Sequence, residues 1–369
     1  MATLSNFPVL FTEDNLPSEM FDADGANPAQ NGGGDIRFSS DEAGTTELAF
    51  EIVDFTTNNN PALGTAQIWV KVPSLDDTTD TTIYVWYGHS TATAYDADET
   101  YGSQNVWRTE YKSVWHVEET GDGTAGEYKD STVNAHNAQG GGGTAGRIPS
   151  VDSSGAIENA QTFDGSNDWI DTNESSDYNP GTGNFSAGVW FKTSRTTAQT
   201  NSEMSAMMKL HNADPYPGWK LSMAMPGGGG TTGKVFANVR DASTNKATVF
   251  SSSTYNDGAW YHYWMVRNGD DLYTYINGVQ VGTIDGCSSI NATNATDMRI
   301  GTNVIDTNDM WDGSLDEIRY YAGILTADWL VTEYNNQSDP SSFATAGTPV
   351  DPNASGPPTG TLGMMGIGR

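Results

Sequence analysis

The sequence predicts an all-β chain: two antiparallel β-sandwich (jelly-roll) modules, one short C-terminal helix and a flexible tail. Three observations predict it. Gly supplies 41 of 369 residues beside many Thr, Ser, Asn and Asp, a composition suited to many turns and short strands. Apolar residues alternate with polar ones at a period of two through run after run. Asn-Gly pairs punctuate those runs where hairpin turns require positive φ. Hydrophobic residues reach only 36%, but 11% aromatics with 11 Trp argue against disorder.

Residues 1–108 read as a first unit. FPVLF at 7–11 opens it as a strand, followed by DIRF at 35–38, ELAFEIV at 47–53, AQIWVKV at 66–72 and TTIYVWYG at 81–88. Ile68, Val70 and Val72 share one face, with Trp69 and Lys71 on the other; Ile83, Val85 and Tyr87 repeat the pattern. NNNPALG at 58–64 and PSLDDTTD at 73–80 are turn clusters.

Residues 109–340 read as a second unit. SVWHVEE at 113–119 leads into a loop, KDSTVNAHNA at 129–138, then FDGSNDWI at 163–170 and FSAGVWFKT at 185–193. The segment 260–282 holds Asn268-Gly269 and Asn277-Gly278 between alternating runs and reads as three successive antiparallel strands. DGSLDEIRYY at 312–321 closes the sandwich. Thr326 then caps a short helix that sets Trp329, Leu330 and Tyr334 on one face. Residues 341–369, rich in Pro, Gly, Ser and Thr, read as a free tail or, through Leu362, Met364, Met365 and Ile367, as a docking peptide.

These phrases carry two resemblances. The succession GGDIRF, LAFEIVDF, IWVKVPSL, TIYVWYGH is similar to a bacterial and viral domain family of unknown function that sits ahead of lectin-like domains. The second unit, from its WHVEE opening through FDGSNDWI to DGSLDEIRYY and the terminal helix, resembles the laminin-G-like, concanavalin A-like jelly-roll family. Modules of both kinds occur in phage and bacterial surface proteins.

Bulk properties exclude several functions. The net charge of −30, from 47 acidic and 17 basic side chains, repels nucleic acid and anionic membranes. The single cysteine, Cys287, precludes an intramolecular disulfide. No segment approaches the roughly 20 apolar residues of a membrane helix. MATLSNFPVLF has no basic n-region or apolar run, so the expectation is a chain not exported by an ordinary signal.

The chemical motifs are weak. GGGTTGKV at 228–235 nearly matches a phosphate loop, but Val235 replaces the magnesium-binding hydroxyl and VFANVR reads as a strand. Glycoside hydrolysis needs two carboxylates roughly 5–10 Å apart. Glu118-Glu119 and Asp316-Glu317 are adjacent in sequence, so regular strands would point each pair to opposite faces. His116 and His262, among strand aromatics, read as packing or hydrogen-bonding residues. Calcium takes six to eight oxygens. The jelly-roll resemblance implies a structural calcium held by Asp130, Asn134 and Asp316, although Val133 stands where the family often has glycine. FDADGAN at 21–27 has alternating oxygens without the Glu of an EF-hand. Trp219 and Trp311, in or beside apparent loops, are the candidates for stacking on sugar rings.

The expected function is a non-enzymatic structural or adhesive virion protein of a bacteriophage, a capsid decoration, head fibre or tail-associated protein. Its expected place is the virion surface and its partners other virion proteins, its own copies in an oligomer or lattice, and host-surface glycans. The alternatives are an extracellular or cell-surface carbohydrate-binding adhesin and a glycoside hydrolase.

Overall fold

The computed structural model describes residues 2–76, 78–197, 202–227, 230–302, 309–350 and 361–367, the last as backbone. It divides into two compact units, 1–108 with 332–369, and 109–331.

In the first unit the strands are β1 (Leu4–Thr12), β2 (Arg37–Ser39), β3 (Glu47–Leu48), β4 (Phe50–Thr56), β5 (Thr65–Leu75) and β6 (Thr81–Tyr87). β1, β5 and β4 form one antiparallel sheet in that order, with Val9 opposite Val70 and Phe11 opposite Ile68. Ile68, Val70 and Val72 are buried as the alternation predicts, and Trp69 on the other face is buried too. Its ring lies 5.4 Å from that of Trp107. The Trp107 indole donates to Glu51 Oε2 at 2.7 Å, and Lys71 Nζ donates to Asn105 O at 2.9 Å. Both faces of β5 are thus covered within this unit. Phe38 of β2 stacks near Phe11 and Phe50, at 5.9 and 5.5 Å, joining the two sheets.

In the second unit the strands are β7 (Tyr111–Trp115), β8 (Gln139–Gly140), β9 (Ser150–Asp152), β10 (Ala160–Asp164), β11 (Ile170–Asp171), β12 (Phe185–Lys192), β13 (Glu203–Leu210), β14 (Gly218–Ala224), β15 (Val235–Arg240), β16 (Lys246–Phe250), β17 (Trp260–Asn268), β18 (Asp271–Ile276), β19 (Val279–Ile284), β20 (Arg299–Ile300) and β21 (Asp312–Tyr321). One sheet of eight strands runs β19-β18-β17-β12-β21-β10-β9, with β7 also on β21. The other, of seven, runs β16-β15-β14-β13-β20-β11-β8. Between them lie Phe163, Phe185, Phe191, Met207, Trp219, Leu221, Tyr263, Met265, Leu315 and Tyr320, all buried. Each large apolar side chain so withdrawn contributes roughly 1.5–3 kcal/mol before entropy.

The phrases FDGSNDWI and DGSLDEIRYY meet here: Phe163 of β10 lies opposite Gly313 of β21, and Asp164 opposite Asp312. The three strands predicted over 260–282 are β17, β18 and β19, turned by Gly269 at φ +61° and by Asn277 and Gly278 at +51° and +74°.

α1 (Ala327–Ser338) starts where expected, with Thr326 Oγ1 accepting from Trp329 N at 3.2 Å. A one-turn helix, α2 (Pro340–Phe343), follows, then β22 (Ala344–Ala346) and β23 (Thr361–Ile367). These strands complete a five-stranded sheet of the first unit, β22-β23-β6-β2-β3. Part of the stretch read as a tail is therefore paired rather than free: Thr361 lies opposite Tyr87 and Ile367 opposite Thr81.

Candidate functional site

Along β14 and β15 the pairs Trp219–Val239, Leu221–Ala237 and Met223–Val235 face the core. The intervening residues, Lys220, Ser222, Phe236, Asn238 and Arg240, therefore lie on the outer face of the seven-stranded sheet. β16 adds Thr248 opposite Asn238 and Phe250 opposite Phe236, and β13 adds Ser205 opposite Ser222.

This face carries a continuous polar row. Lys220 pairs with Glu203, and its ammonium sits 5.1 Å from the Phe236 ring centroid. Burial pushes the Lys220 amine below its usual range and the Glu203 charge opposes that shift. Ser205 and Ser222 hydroxyls lie 3.0 Å apart. Asn238 Nδ2 donates to Thr248 Oγ1 at 2.7 Å, while Asn238 Oδ1 accepts from Arg240 Nε at 2.6 Å. Lys220, Ser222 and Asn238 form a buried floor, whereas Arg240 and Thr248 are half-buried and Phe250 is 37% exposed. The Phe236 and Phe250 rings stand 5.0 Å apart. Farther across the sheet, Arg299 lies 4.1 Å over the half-buried Trp169 ring and 3.6 Å from Asp171 Oδ2. The arrangement offers aromatic faces beside fixed donors and acceptors.

The tryptophans named from sequence are not part of it. Trp219 is fully buried: its ring lies 5.5 Å from Phe185 and 5.3 Å from Tyr320, and its indole donates to Tyr178 O at 2.9 Å. Trp311 is also buried, edge-on to Phe191 at 5.6 Å. Trp219 belongs to β14 rather than a loop, at an inward position of the pleat, so neither ring can receive a sugar. The partly exposed aromatics of this face are Phe250 and Trp169, neither of them among the residues expected from sequence. Phe236, Asn238 and Arg240 are readable in principle, since they alternate with Val235, Ala237 and Val239 in VFANVR.

The calcium set does not fit either. Asp130 Oδ1 accepts from Val114 N and Thr132 N, both at 3.0 Å. Asp130 Oδ2 accepts from Thr132 Oγ1 at 3.0 Å and His136 N at 2.9 Å. Four donors occupy the lone pairs an ion would need. Asn134 turns its amide nitrogen to the carbonyls of Tyr111 and Lys112, at 3.2 and 3.1 Å. Asp316 takes a separate set of donors, Ala156 N and Ile157 N at 2.9 Å each and Glu317 N at 2.7 Å. Val114 lies opposite Arg319, three residues along β21 from Asp316, or roughly 10 Å of strand. Among the described residues no group of three or more His, Cys, Asp or Glu side chains is placed to hold a metal.

The eight-stranded sheet holds a second ionic cluster. Glu317 has φ +47° and Val117 φ +56°, and the pairing of β12 with β21 shifts register between Gly188 and Trp190. This bulge breaks the alternation that would separate Asp316 from Glu317. Glu317 receives His116 Nδ1 at 2.7 Å and Arg319 Nη2 at 2.5 Å, and these cations hold it below its usual pKa despite burial. Burial drives Asp316 well above the carboxylate range, with the Glu317 charge adding to the shift. Glu118, mainly by burial, is pushed up to about 8. Its Oε2 accepts from Asn159 N at 3.0 Å, while its buried Oε1 has no hydrogen-bond partner. His262 is a packing residue that accepts from the Trp264 indole at 2.8 Å. Cys287 is a buried free thiol pushed up to about 11, again mainly by burial.

Known proteins frame this geometry. Residues 164–331 match the model of the concanavalin A-like lectin/glucanases superfamily, and residues 32–115 that of a domain of unknown function, DUF2341. No curated protein matches the chain. Similar solved structures include the binding domain of Paraclostridial Mosquitocidal Protein 1, at 15% identity and TM-score 0.47, covering 61% of this chain and 52% of that one. The botulinum neurotoxin serotype G binding domain matches at 16% identity and TM-score 0.45, covering 62% and 51%. The serotype D ligand binding domain in complex with N-acetylneuraminic acid matches at 16% and 0.43, again covering 62% and 51%. The chain spans about half the length of these solved chains. It carries a DUF2341 domain followed by a lectin-like domain of the concanavalin A-like lectin/glucanases superfamily.

Proposed function

We propose that the lectin-like unit binds a glycan without cleaving it, on the outer face of the seven-stranded sheet. The observation that carries this reading is the polar row Glu203–Lys220–Asn238–Arg240 beside the Phe236–Phe250 pair. A sugar ring stacked on Phe250 would offer its hydroxyls to Arg240 and Thr248. The non-catalytic part rests on the carboxylates of this face: Glu203 is paired with Lys220 and Asp171 with Arg299. Neither stands ready as the acid or nucleophile that hydrolysis requires. We set this activity in a structural or adhesive protein of a bacteriophage virion surface, on the strength of the resemblances of the two modules; a cell-surface adhesin is the alternative setting.

A glycan array tests the binding. The intact chain is expected to select particular sugars, and Arg240→Ala and Phe250→Ala each to weaken that binding at least about ten-fold, the loss of one good polar or stacking contact. Their melting temperatures should stay near that of the parent, because both side chains are partly exposed. An intact chain that binds no glycan overturns the reading. Mass spectrometry of purified particles tests the setting, and absence of the chain from them removes the virion role.

A further inference from the structure

The first unit has its own cavity, of about 190 Å³, lined by Glu19, Asp22, Ala26, Asn27, Tyr87 and Pro349 with Gly25. It includes the loop FDADGAN, which the lectin-like unit does not use.

Hydrogen bonds preform its walls. Ala23 N donates to Asn58 O at 3.1 Å, Asn58 N to Phe21 O at 2.9 Å, and Gly25 N to Asp22 O at 2.8 Å. Asp35 ties the loop to the end of β6: its Oδ1 accepts from Gln30 N at 2.7 Å and its Oδ2 from Gly88 N at 2.7 Å. Gly88, at φ +84°, is pressed against Asn27; a Cβ there would stand 3.2 Å from Asn27 O. Tyr87 is 1% exposed, and its hydroxyl has no hydrogen-bond partner. Burial raises the phenol above its ordinary pKa, and the Glu19 charge adds to the shift; Tyr87 and Glu19 line the same cavity. Among the described residues, no Lys or Arg lines this space.

A cavity lined by a tyrosine with a buried, unpartnered hydroxyl, by two carboxylates and by a side-chain amide suits a ligand that brings positive charge and N–H donors together. The short walls of Ala26 and Pro349 suit an alkyl stem. A hard metal ion would need six or more oxygens, and no metal-holding cluster exists among the described residues. We propose that this cavity binds an organic cation, an ammonium or guanidinium group on a short alkyl chain, by charge to Glu19 and Asp22 and by an N–H donated to the Tyr87 oxygen. This inference concerns the first unit and does not depend on the glycan reading.

The test is an amide-resolved NMR titration of the full chain with n-butylamine, butylguanidine, tetramethylammonium and calcium chloride. Butylamine or butylguanidine should shift the Gly25, Ala26 and Gly88 amides saturably. Tetramethylammonium, which has charge but no N–H, should bind at least about ten-fold more weakly, a difference of about 1.4 kcal/mol. Glu19→Gln, an exposed and conservative change, should lower affinity roughly ten-fold or more, and Tyr87→Phe by a similar factor with an unchanged melting temperature. A blocked lysine or arginine peptide that binds tighter than the free amine would identify a protein side chain as the source of the cation, and equal affinity a free amine. No saturable shift, equal binding of tetramethylammonium, unchanged affinity in Glu19→Gln, or shifts from calcium alone would each overturn the proposal.

Discussion

On the outer face of the seven-stranded sheet two acids each pair with a cation, Glu203 with Lys220 and Asp171 with Arg299. On the eight-stranded sheet, around the bulge in β21, the arithmetic differs. One carboxylate, Glu317, takes two cations, His116 and Arg319. Asp316 and Glu118 rely on backbone N–H groups, and burial holds both above the carboxylate range. The first arrangement keeps some of its members, Glu203, Arg240 and Phe250, partly exposed above a buried floor. The second locks charge into a strand hub that also pairs with β7, β10 and β12. A sheet face rich in charge is therefore not by itself a site. What separates the two is whether any partner is free to be replaced.

The contrast breaks most sharply at Glu317. Glu317→Ala leaves Arg319 and His116 buried without their shared counter-ion. Removing one partner of such a buried network costs about 3–5 kcal/mol. Glu203→Ala removes a partly exposed acceptor from a single buried amine that burial already pushes toward its neutral form, and should cost less. Chemical denaturation of the two variants measures the ratio; equal losses would erase the distinction between the sheets.

The pH dependence sharpens it next. Glu118 keeps its proton in the folded state up to about 8, against an ordinary value of 4.5. Between those values the unfolded chain has released the proton and the folded chain has not. Stability from this group is therefore full below 4.5 and falls as pH rises to about 8. Asp316 acts in the same direction, while Glu317, held low, contributes stability that is lost only as pH falls through its depressed value. Glu118→Gln removes one falling component. Its melting temperature should match the parent at acid pH and exceed it at about pH 9, by the equivalent of a few kcal/mol. A parallel pair of pH curves would refute the assignment.

Much of the fold was legible because period-two alternation survives in β5, β6, β12 and β17–β19, and because Asn277-Gly278 can hold positive φ on both residues. The sites were less legible for two physical reasons. The turn-rich DPYPG ahead of Trp219 hides the strand Gly218–Ala224, so Trp219 looks like a residue in or beside a loop, whereas its register with Val239 puts it in the core. Alternation also fails at a bulge: no sequence signal marks the positive φ of Glu317, a non-glycine residue, so Asp316 and Glu317, which a regular strand would send to opposite faces, are both buried and the Glu317 charge raises the Asp316 pKa. The pairing of Arg299 with Trp169 joins residues 130 positions apart, beyond the reach of any local pattern.

The smallest expected effect concerns the loop around Asp130. Its carboxylate belongs to neither pattern, since it has no cation and takes four donors from Val114, Thr132 and His136. Those donors stabilise the ionised form and oppose the burial that raises its pKa. The loop is thus closed by hydrogen bonds, and a chelator should leave the melting temperature where it was. Asp130→Asn keeps the size but replaces one acceptor with a donor facing N–H or O–H groups. It should cost about 1–3 kcal/mol, the penalty for buried donors left unmet, and added calcium should not change that cost. A melting temperature that falls with chelator in the parent, and no longer does in Asp130→Asn, would show instead that these oxygens give up their N–H donors to an ion.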